Sequence, residues 1–215
     1  MNIIKPYTVI QQPCNGIAML SDIEAIARVS HMSQDRQTED SWKKFILSVV
    51  IQHGDWSVVE HKSVTVMAVV DRGIQQEWTR HRLGAYTVES TRFVNYGKKQ
   101  SINVIEPIGL NELVRNNWLI GVENAERAYL TMLACGESPQ IARSVLPLCT
   151  ASTMYITYNL RMWRHFFLLR TTKETHPQML QVTLPLLQEF KGNIPILYDD
   201  IIPGVRQVDN LNKAR

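Results

Sequence analysis

The feature that most constrains the fold is an uninterrupted alternation of strand-like and helix-like hydrophobic patterns. Apolar residues alternate over residues 64–70, which predicts a strand, and recur at helical spacing over residues 42–52, which predicts a helix. No internal repeat, low-complexity run or flexible linker separates such segments. With 215 residues, 45% of them hydrophobic, strands and helices are expected to share one core. The sequence therefore predicts a single α+β domain over residues 1–215.

The same patterns predict further elements along the chain. They are a strand over residues 2–12, a helix from a capping box at residues 21–24 to residue 30, a helix over residues 73–82, a long helix over residues 111–134, a strand over residues 149–158, and helices over residues 159–170 and 177–191. The helix over residues 73–82 is expected to carry a basic triplet in its last turn. The polar tail after about residue 204 is expected to be loose.

A dense group of anion-binding side chains lies within residues 78–92. Arg80, His81 and Arg82 are adjacent, and Ser90 and Arg92 follow after a gap of seven residues. Arginine presents a planar fork of donors that matches phosphate, and a serine hydroxyl completes the oxygen shell without adding charge. The segment therefore predicts a site for a phosphorylated small molecule. A basic helix end followed by an exposed strand is the alternative interpretation.

Charge and motifs exclude several other classes of protein. The formal net charge is only +3 and no run of five like charges occurs, which disfavours a general nucleic-acid binder. The chain contains neither GxGxxG nor GxxxxGK[ST], so any dinucleotide cofactor would bind without a doubly wound nucleotide fold. This absence disfavours an ordinary dehydrogenase.

A nucleic-acid-binding module remains the alternative from a different class. It would place Arg80, Arg82 and Arg92 on backbone phosphates and would show a steep salt dependence. Carboxylates interleaved with these arginines argue against it. They are Asp71, Glu77 and Glu89.

The termini and hydropathy predict a cytoplasmic protein with no membrane partner. Residues 1–6 lack a long apolar segment, and no stretch reaches the roughly 18 apolar residues of a membrane span. The three cysteines, Cys14, Cys135 and Cys149, are widely spaced and are expected to be reduced thiols.

The sequence disfavours two candidate reactive sites. Cys149 is a conceivable nucleophile, but a small, buried structural role is the commoner fate of an isolated cysteine. A zinc hydrolase built on His53 and His61 lacks HExxH or a similar ligand set. No metal site is predicted.

The spacing Arg-His-Arg, seven residues, Ser resembles the signature of the flavin-dependent thymidylate synthases. Four more stretches resemble that family in its order: Ala-Arg-Val-Ser at residues 27–30, residues 53–61, Ala-Arg-Ser-Val-Leu-Pro at residues 142–147, and residues 159–170. The resemblance implies methylation of dUMP at C5 to give dTMP without an enzyme nucleophile. Methylenetetrahydrofolate would supply the carbon, NADPH the reducing equivalents, and bound FAD would be the intermediary. It also implies an antiparallel sheet with flanking helices and a homotetramer whose subunits share each site.

The resemblance assigns one group of residues to dUMP. Arg80, Ser90, Arg92 and Arg143 would grasp the 5′-phosphate, since a dianion in a partly buried site needs several charge-assisted hydrogen bonds. Arg170 would be catalytic, polarising uracil at N3 and O2 or O4. The implied dUMP site is Glu77, Trp78, Thr79, Arg80, Val88, Glu89, Ser90, Arg92, Arg143 and Arg170.

A second group is assigned to FAD. Arg161 and His165 are four residues apart, so a helix would present them on one face. Ser30, His53 and Ser57 would approach the flavin ring or its ribityl chain. The implied FAD site is Ser30, Ser57, Arg80, His81, Arg82, Val88, Asn159, Arg161 and His165.

Five positions depart from the family pattern. Ala85 and Val88 stand where a serine and a carboxylate or amide are expected, and Asp55 where a histidine is more usual. Glu77 stands where glutamine is also seen, and His165 where an amide is more usual. These departures bear on cofactor affinity, and they leave open a related hydroxymethylase that makes 5-hydroxymethyl-dUMP instead of dTMP.

Overall fold

The computed structural model describes residues 1–11, 14–98 and 102–207. The chain forms two compact units. Unit 1 consists of Met1–Thr8, Met67–Arg82 and Tyr86–Tyr155, and unit 2 of Val9–Val66, Leu83–Ala85 and Ile156–Arg215. The prediction of a single domain over residues 1–215 covers both units and stays a prediction. The predicted loose tail falls mainly on residues 208–215, which lie outside the described residues.

In the described part of the chain, six strands form two sheets. They are β1 (Asn2–Ile4), β2 (Tyr7–Ile10), β3 (Ser63–Asp71), β4 (Ala85–Val88), β5 (Asn103–Ile105) and β6 (Ala151–Asn159). A small parallel sheet pairs β1 with β5, with Ile3 opposite Val104. The larger sheet has the order β2-β3-β6-β4 and is antiparallel, which confirms the predicted α+β class.

Among the described residues, seven α-helices accompany the sheets. They are α1 (Gly16–Arg28), α2 (Ser41–Phe45), α3 (Arg72–Trp78), α4 (Glu112–Ala134), α5 (Pro139–Ala142), α6 (Leu160–Arg170) and α7 (Pro177–Asn193). A π-helical segment, Ile46–Gln52, continues α2, and 3-10 turns cover Val29–His31, Gln34–Arg36, Trp56–His61 and Arg143–Val145. Asparagine side chains cap two of the predicted helices: Asn111 accepts from the Leu113 amide at 2.9 Å and Asn159 from the Met162 amide at 2.8 Å. These caps confirm where α4 and α6 begin.

Several predicted boundaries were wrong. Helix α1 begins at Gly16, upstream of the supposed capping box, and Asn15 caps it by accepting from the Ala18 amide at 3.1 Å. A Cβ at Gly16 would lie only 2.0 Å from the Asn193 carbonyl oxygen, so close packing against the end of α7 sets this start. The predicted strand over residues 2–12 is two strands separated by residues 5–6, and residue 12 is outside the described residues. Helix α3 ends at Trp78, so the basic triplet lies beyond it, and β4 and β5 were not predicted.

Each unit has an aromatic centre. In unit 1, Tyr96 and Tyr129 lie 5.8 Å apart between ring centroids, amid apolar residues that include Val104 and Val122. In unit 2, Tyr158 and Trp163 lie 4.7 Å apart and begin a cluster of six buried aromatic rings. The others are Phe166, Phe167, Phe190 and Tyr198. No helix in the described part of the chain is long and apolar enough to cross a membrane.

Candidate functional site

The turn after α3 carries the basic triplet, and Tyr86 holds its backbone. The Tyr86 hydroxyl contacts the carbonyl oxygen of Trp78 at 3.1 Å and also that of His81. Arg80 and Arg82 are exposed on this turn, whereas His81 is only 7% exposed. The turn therefore presents two guanidinium groups to solvent on a fixed backbone and keeps the intervening imidazole inside.

The backbone is constrained where the triplet leads into β4. Leu83 has a positive φ of 68°, which only glycine adopts without strain. At Gly84 an added Cβ would lie 2.2 Å from the Tyr158 ring, so a side chain there would displace a fully buried aromatic residue. Two consecutive residues thus fix how the chain leaves the triplet.

A second cationic group of unit 1 lies on the segment after β4. Arg92 donates from Nε to the Gln140 side-chain oxygen at 3.0 Å, and Arg143 donates to the Thr91 hydroxyl at 3.4 Å. These two contacts hold the Ser90–Arg92 segment beside α5 and the turn that follows it. The structure therefore brings together Ser90, Arg92 and Arg143, which sequence reasoning assigned to one phosphate.

Glu89 faces the interior of unit 1. Tyr96 donates its hydroxyl to the Glu89 carboxylate at 2.7 Å, and Arg72 donates to the Glu89 carbonyl at 3.3 Å. Burial, together with this carboxylate, raises the pKa of Tyr96 above its ordinary value. Asp71 is also buried and caps α3 by accepting from the Ile74 amide at 2.9 Å. The sequence interpretation had placed Asp71 among the arginines, but in the structure Asp71 is buried away from the exposed ones.

The remaining unit 1 residues assigned to dUMP vary in exposure. Trp78 is fully buried, and Glu77, Thr79 and Val88 are half-buried. Their contacts with a nucleotide stay predictions.

In unit 2, the 3-10 turn that carries Ser57 is fastened to α6. Arg161 pairs with Glu60 at 2.5 Å between Nη1 and Oε1, and the Leu160 amide donates to the Lys62 carbonyl at 2.9 Å. Ser57 and His165 are both exposed, and His165 lies one turn after Arg161 on α6. These contacts place Ser57 and Arg161 on adjoining elements, as a shared ligand requires.

Arg164 reinforces the same junction and was missed by sequence reasoning. Its guanidinium lies 4.4 Å from the Trp56 ring centroid and donates to both carboxylate oxygens of Asp200, at 2.7 and 2.6 Å. It also donates to the Leu197 carbonyl at 3.0 Å and is 5% exposed. The available signal was an arginine between apolar residues, Trp163 on one side and Phe166 and Phe167 on the other, a position that requires a partner.

Two residues assigned to FAD make local hydrogen bonds. The Asn159 side-chain oxygen caps α6, and the Ser30 hydroxyl donates to the Ala27 carbonyl at 2.8 Å. Asp55 and Ala85, which depart from the family pattern, are both exposed. The roles of Asn159 and Ser30 toward flavin stay predictions.

Arg170 lines an open cavity of about 280 Å³ at the end of α6. Hydrogen bonds hold this end: the Thr183 hydroxyl donates to the Arg170 carbonyl, and the Gly204 amide to the Thr171 carbonyl, both at 2.7 Å. Other polar residues on the wall are Thr172, Glu174, Thr175, Arg206 and Gln207. A hydrogen bond from its own backbone amide, then one from Thr172, lowers the pKa of the Glu174 carboxyl. Two arginines and one glutamate therefore line the cavity.

The thiol considered as a nucleophile is poorly suited to that role. Burial raises the pKa of Cys149 above that of a free thiol, and the negative charge of Asp71 adds to the effect. The thiolate fraction at neutral pH is correspondingly reduced. Among residues 1–11, 14–98 and 102–207, no three His, Cys, Asp or Glu side chains are grouped so that they could hold a metal ion.

The fold defines an α+β protein, and its unit 1 brings the cationic side chains of Arg92 and Arg143 close to Ser90. A family model described as thymidylate synthase complementing protein matches residues 18–196. The chain belongs to that family.

Individual relatives and solved structures agree with this family. The flavin-dependent thymidylate synthase of Thermotoga neapolitana is 23% identical over 201 residues, covering 91% of this chain and 93% of the relative. That of Corynebacterium efficiens is 26% identical over 167 residues, covering 70% of this chain and 66% of the relative. The crystal structure of a UMP/dUMP methylase from Streptomyces cacaoi, bound with 5-Br UMP, aligns over 93% of this chain and 95% of its own. Its TM-score is 0.76 at 20% identity, so the likeness is one of fold.

Proposed function

We propose that the chain catalyses the reductive methylation of dUMP to dTMP. In the balanced reaction, dUMP, methylenetetrahydrofolate, NADPH and one proton give dTMP, tetrahydrofolate and NADP⁺. The C5 hydrogen is replaced by a methyl group whose carbon comes from the folate and whose two reducing electrons come from NADPH. The grouping of Ser90, Arg92 and Arg143 in unit 1 is the observation that carries the proposal.

The phosphate of dUMP is the ligand that this group suits. Arg92 and Arg143 are both exposed on fixed segments, and their present partners are a neutral amide and a neutral hydroxyl. A dianion competes well against neutral acceptors because charge-assisted hydrogen bonds are roughly twice as strong. Arg80, on its constrained turn, contributes a further guanidinium.

Uracil activation is assigned to Arg170. A guanidinium beside N3 and a ring carbonyl favours loss of the N3 proton and makes C5 more electron-rich. C5 can then attack the methylene carbon of the folate without a covalent bond between the uracil and the enzyme. The raised pKa of Cys149 supports this route, because its thiol stays protonated at neutral pH.

FAD is the cofactor that the unit 2 donor set suits. Arg161 provides a charge for a pyrophosphate, and the adjoining turn provides the Ser57 hydroxyl. His165 follows on the same helix face, and Arg80, His81 and Arg82 are the unit 1 residues assigned to the same cofactor. When bound, FAD supplies a two-electron carrier between NADPH and the transferred carbon.

The proposal extends to assembly and location. The sites would be shared between subunits of a homotetramer in the cytoplasm, with no nucleic-acid or membrane partner. Substrates would be limited to dUMP, NADPH and methylenetetrahydrofolate.

Substitution of Arg170 tests the mechanism. Arg170→Ala is expected to lower dTMP formation by about a hundredfold or more, the loss typical of a missing group that stabilises developing negative charge. Flavin absorbance is expected to be unchanged. Arg36→Ala, at an exposed arginine in a 3-10 turn of the same unit, is the matched control and is expected to keep full activity. Normal turnover by Arg170→Ala would remove this assignment.

A further inference from the structure

Arg206 lies on the same cavity wall as Arg170 but comes from a different segment of the chain. Backbone pairing positions this segment: Thr172 forms a parallel bridge with Gly204, and the Gly204 amide donates to the Thr171 carbonyl at 2.7 Å. Gly204 has a φ of 81°, a conformation that glycine adopts without strain. The chain is therefore anchored just before Arg206.

Gln207 anchors the segment on the other side. Its side-chain oxygen accepts from the Ile202 amide at 2.7 Å, and its side-chain nitrogen donates to the Asp200 carbonyl at 2.8 Å. Arg206 thus lies between two fixed residues, and its main-chain position beside the cavity is defined.

Charge in the cavity favours an anionic or electron-rich ligand group. Arg170 and Arg206 together outweigh the single carboxylate of Glu174. The backbone amide of Glu174 and the Thr172 side chain account for most of the lowered pKa of Glu174, and the charges of Lys173 and Arg206 lower it further. A neutral ligand whose negative charge develops during reaction would draw most benefit from such a site.

We propose that Arg206 is a second guanidinium at the pyrimidine end of the nucleotide and contacts a uracil carbonyl oxygen beside the group held by Arg170. The inference rests on the proposed function, since it takes dUMP as the substrate. Two cations share the charge that spreads over N3 and the ring carbonyls when uracil is activated. Arg206 is then a residue that binds and activates uracil, whereas Ser90, Arg92 and Arg143 of unit 1 bind the phosphate.

Ligand truncation separates a uracil contact from a phosphate contact. Binding of dUMP and of 2-deoxyribose 5-phosphate is measured by calorimetry for the flavin-loaded wild type and for Arg206→Gln. The variant is expected to bind dUMP about tenfold more weakly, the loss typical of one charge-assisted hydrogen bond, with unchanged affinity for the sugar phosphate. The dUMP affinity of Arg206→Lys is expected to lie between those of the wild type and Arg206→Gln, because lysine keeps the charge and loses the planar fork.

The alternatives give different results. If Arg206→Gln bound dUMP and 2-deoxyribose 5-phosphate more weakly by the same factor, Arg206 would contact the phosphate. If only the KM for methylenetetrahydrofolate rose, Arg206 would contact the folate. Either result overturns the inference. Unchanged dUMP affinity in the variant also overturns it. If the wild type itself neither binds nor converts dUMP, the proposed function has failed. The Arg36→Gln control is expected to match the wild type in both titrations.

Discussion

Arg161 and Glu60 form an ion pair of 2.5 Å that joins α6 to the 3-10 turn bearing Ser57. Both side chains are more than one-third exposed, at 35% and 43%, so the pair contributes little to the stability of the fold. Its consequence is positional: a guanidinium suited to a pyrophosphate is held beside a hydroxyl on the neighbouring element. The proposed role of Arg161 in binding FAD can therefore be tested with little effect on folding.

Replacing Arg161 tests this explanation. Arg161→Gln is expected to raise the dissociation constant of FAD about tenfold, because one charge-assisted contact is lost. The free energy of unfolding is expected to change by less than about 0.5 kcal/mol, since an exposed pair is screened by solvent. Lys43→Gln, which breaks the exposed pair with Asp40, is the control and is expected to leave FAD affinity unchanged. FAD affinity equal to that of the wild type in Arg161→Gln would contradict the assignment.

Substitution of Arg143 tests whether the residues grouped around Ser90 bind the phosphate of dUMP. Arg143→Gln is expected to weaken dUMP binding about tenfold and to leave binding of deoxyuridine, which has no phosphate, unchanged. Ser90→Ala is expected to show the same selectivity with a smaller loss, because a neutral hydroxyl is the weaker donor. Calorimetric titration with both ligands measures the difference. Parallel losses for dUMP and deoxyuridine would show that these residues do not contact the phosphate.

Substitution of Gly84 tests whether its close contact with the Tyr158 ring constrains the backbone after the basic triplet. Gly84→Ala is expected to destabilise the protein by about 1–3 kcal/mol, because its Cβ overlaps the buried Tyr158 ring. Gly121→Ala in α4 is the matched control: nothing lies within 4 Å of its Cβ, and a helical alanine stabilises by about 1 kcal/mol. Urea unfolding is expected to shift in opposite directions for the two variants. A neutral effect at Gly84 would mean that Tyr158 moves aside without penalty.

Substitution of Cys149 tests whether the reaction proceeds without an enzyme nucleophile. Because burial raises the pKa of its thiol, the thiolate fraction lies below that of a free cysteine at every pH below the raised pKa. Cys149→Ala is expected to keep dTMP formation within about twofold of the wild type, the rate changing only through small packing effects. Iodoacetamide at neutral pH is expected to label the exposed Cys135 first. Loss of all activity in Cys149→Ala would restore the thiol to the mechanism.

The sequence predicted the starts of α4 and α6 correctly. Asn111 and Asn159 cap these helices through local hydrogen bonds, and such contacts depend on only a few neighbouring residues. The prediction failed at the start of α1, although Asn15 caps this helix in the same way, and there Gly16 packs closely against Asn193. No local pattern reports a contact between residues so far apart in the chain.

The candidate site shows the same division. The spacing of Arg80 and Ser90 identified the signature, and the helical spacing of Arg161 and His165 identified one face of α6. Arg206 escaped notice because it reaches the Arg170 cavity through a backbone bridge between Thr172 and Gly204. Such pairing depends on tertiary structure and leaves no periodic trace in the sequence.

Mass spectrometry of the nucleotide product tests the central claim most directly. The purified protein is incubated with dUMP, FAD, NADPH and methylenetetrahydrofolate, and each component is omitted in turn. Conversion of dUMP to dTMP, a gain of one CH₂ unit, is expected only when all four are present. A 5-hydroxymethyl-dUMP product would contradict the methyl outcome and direct attention to Asp55, Ala85 and Val88. No conversion, with no flavin bound, would contradict the proposed function and reopen the interpretation of Arg80, Arg82 and Arg92 as a nucleic-acid-binding surface.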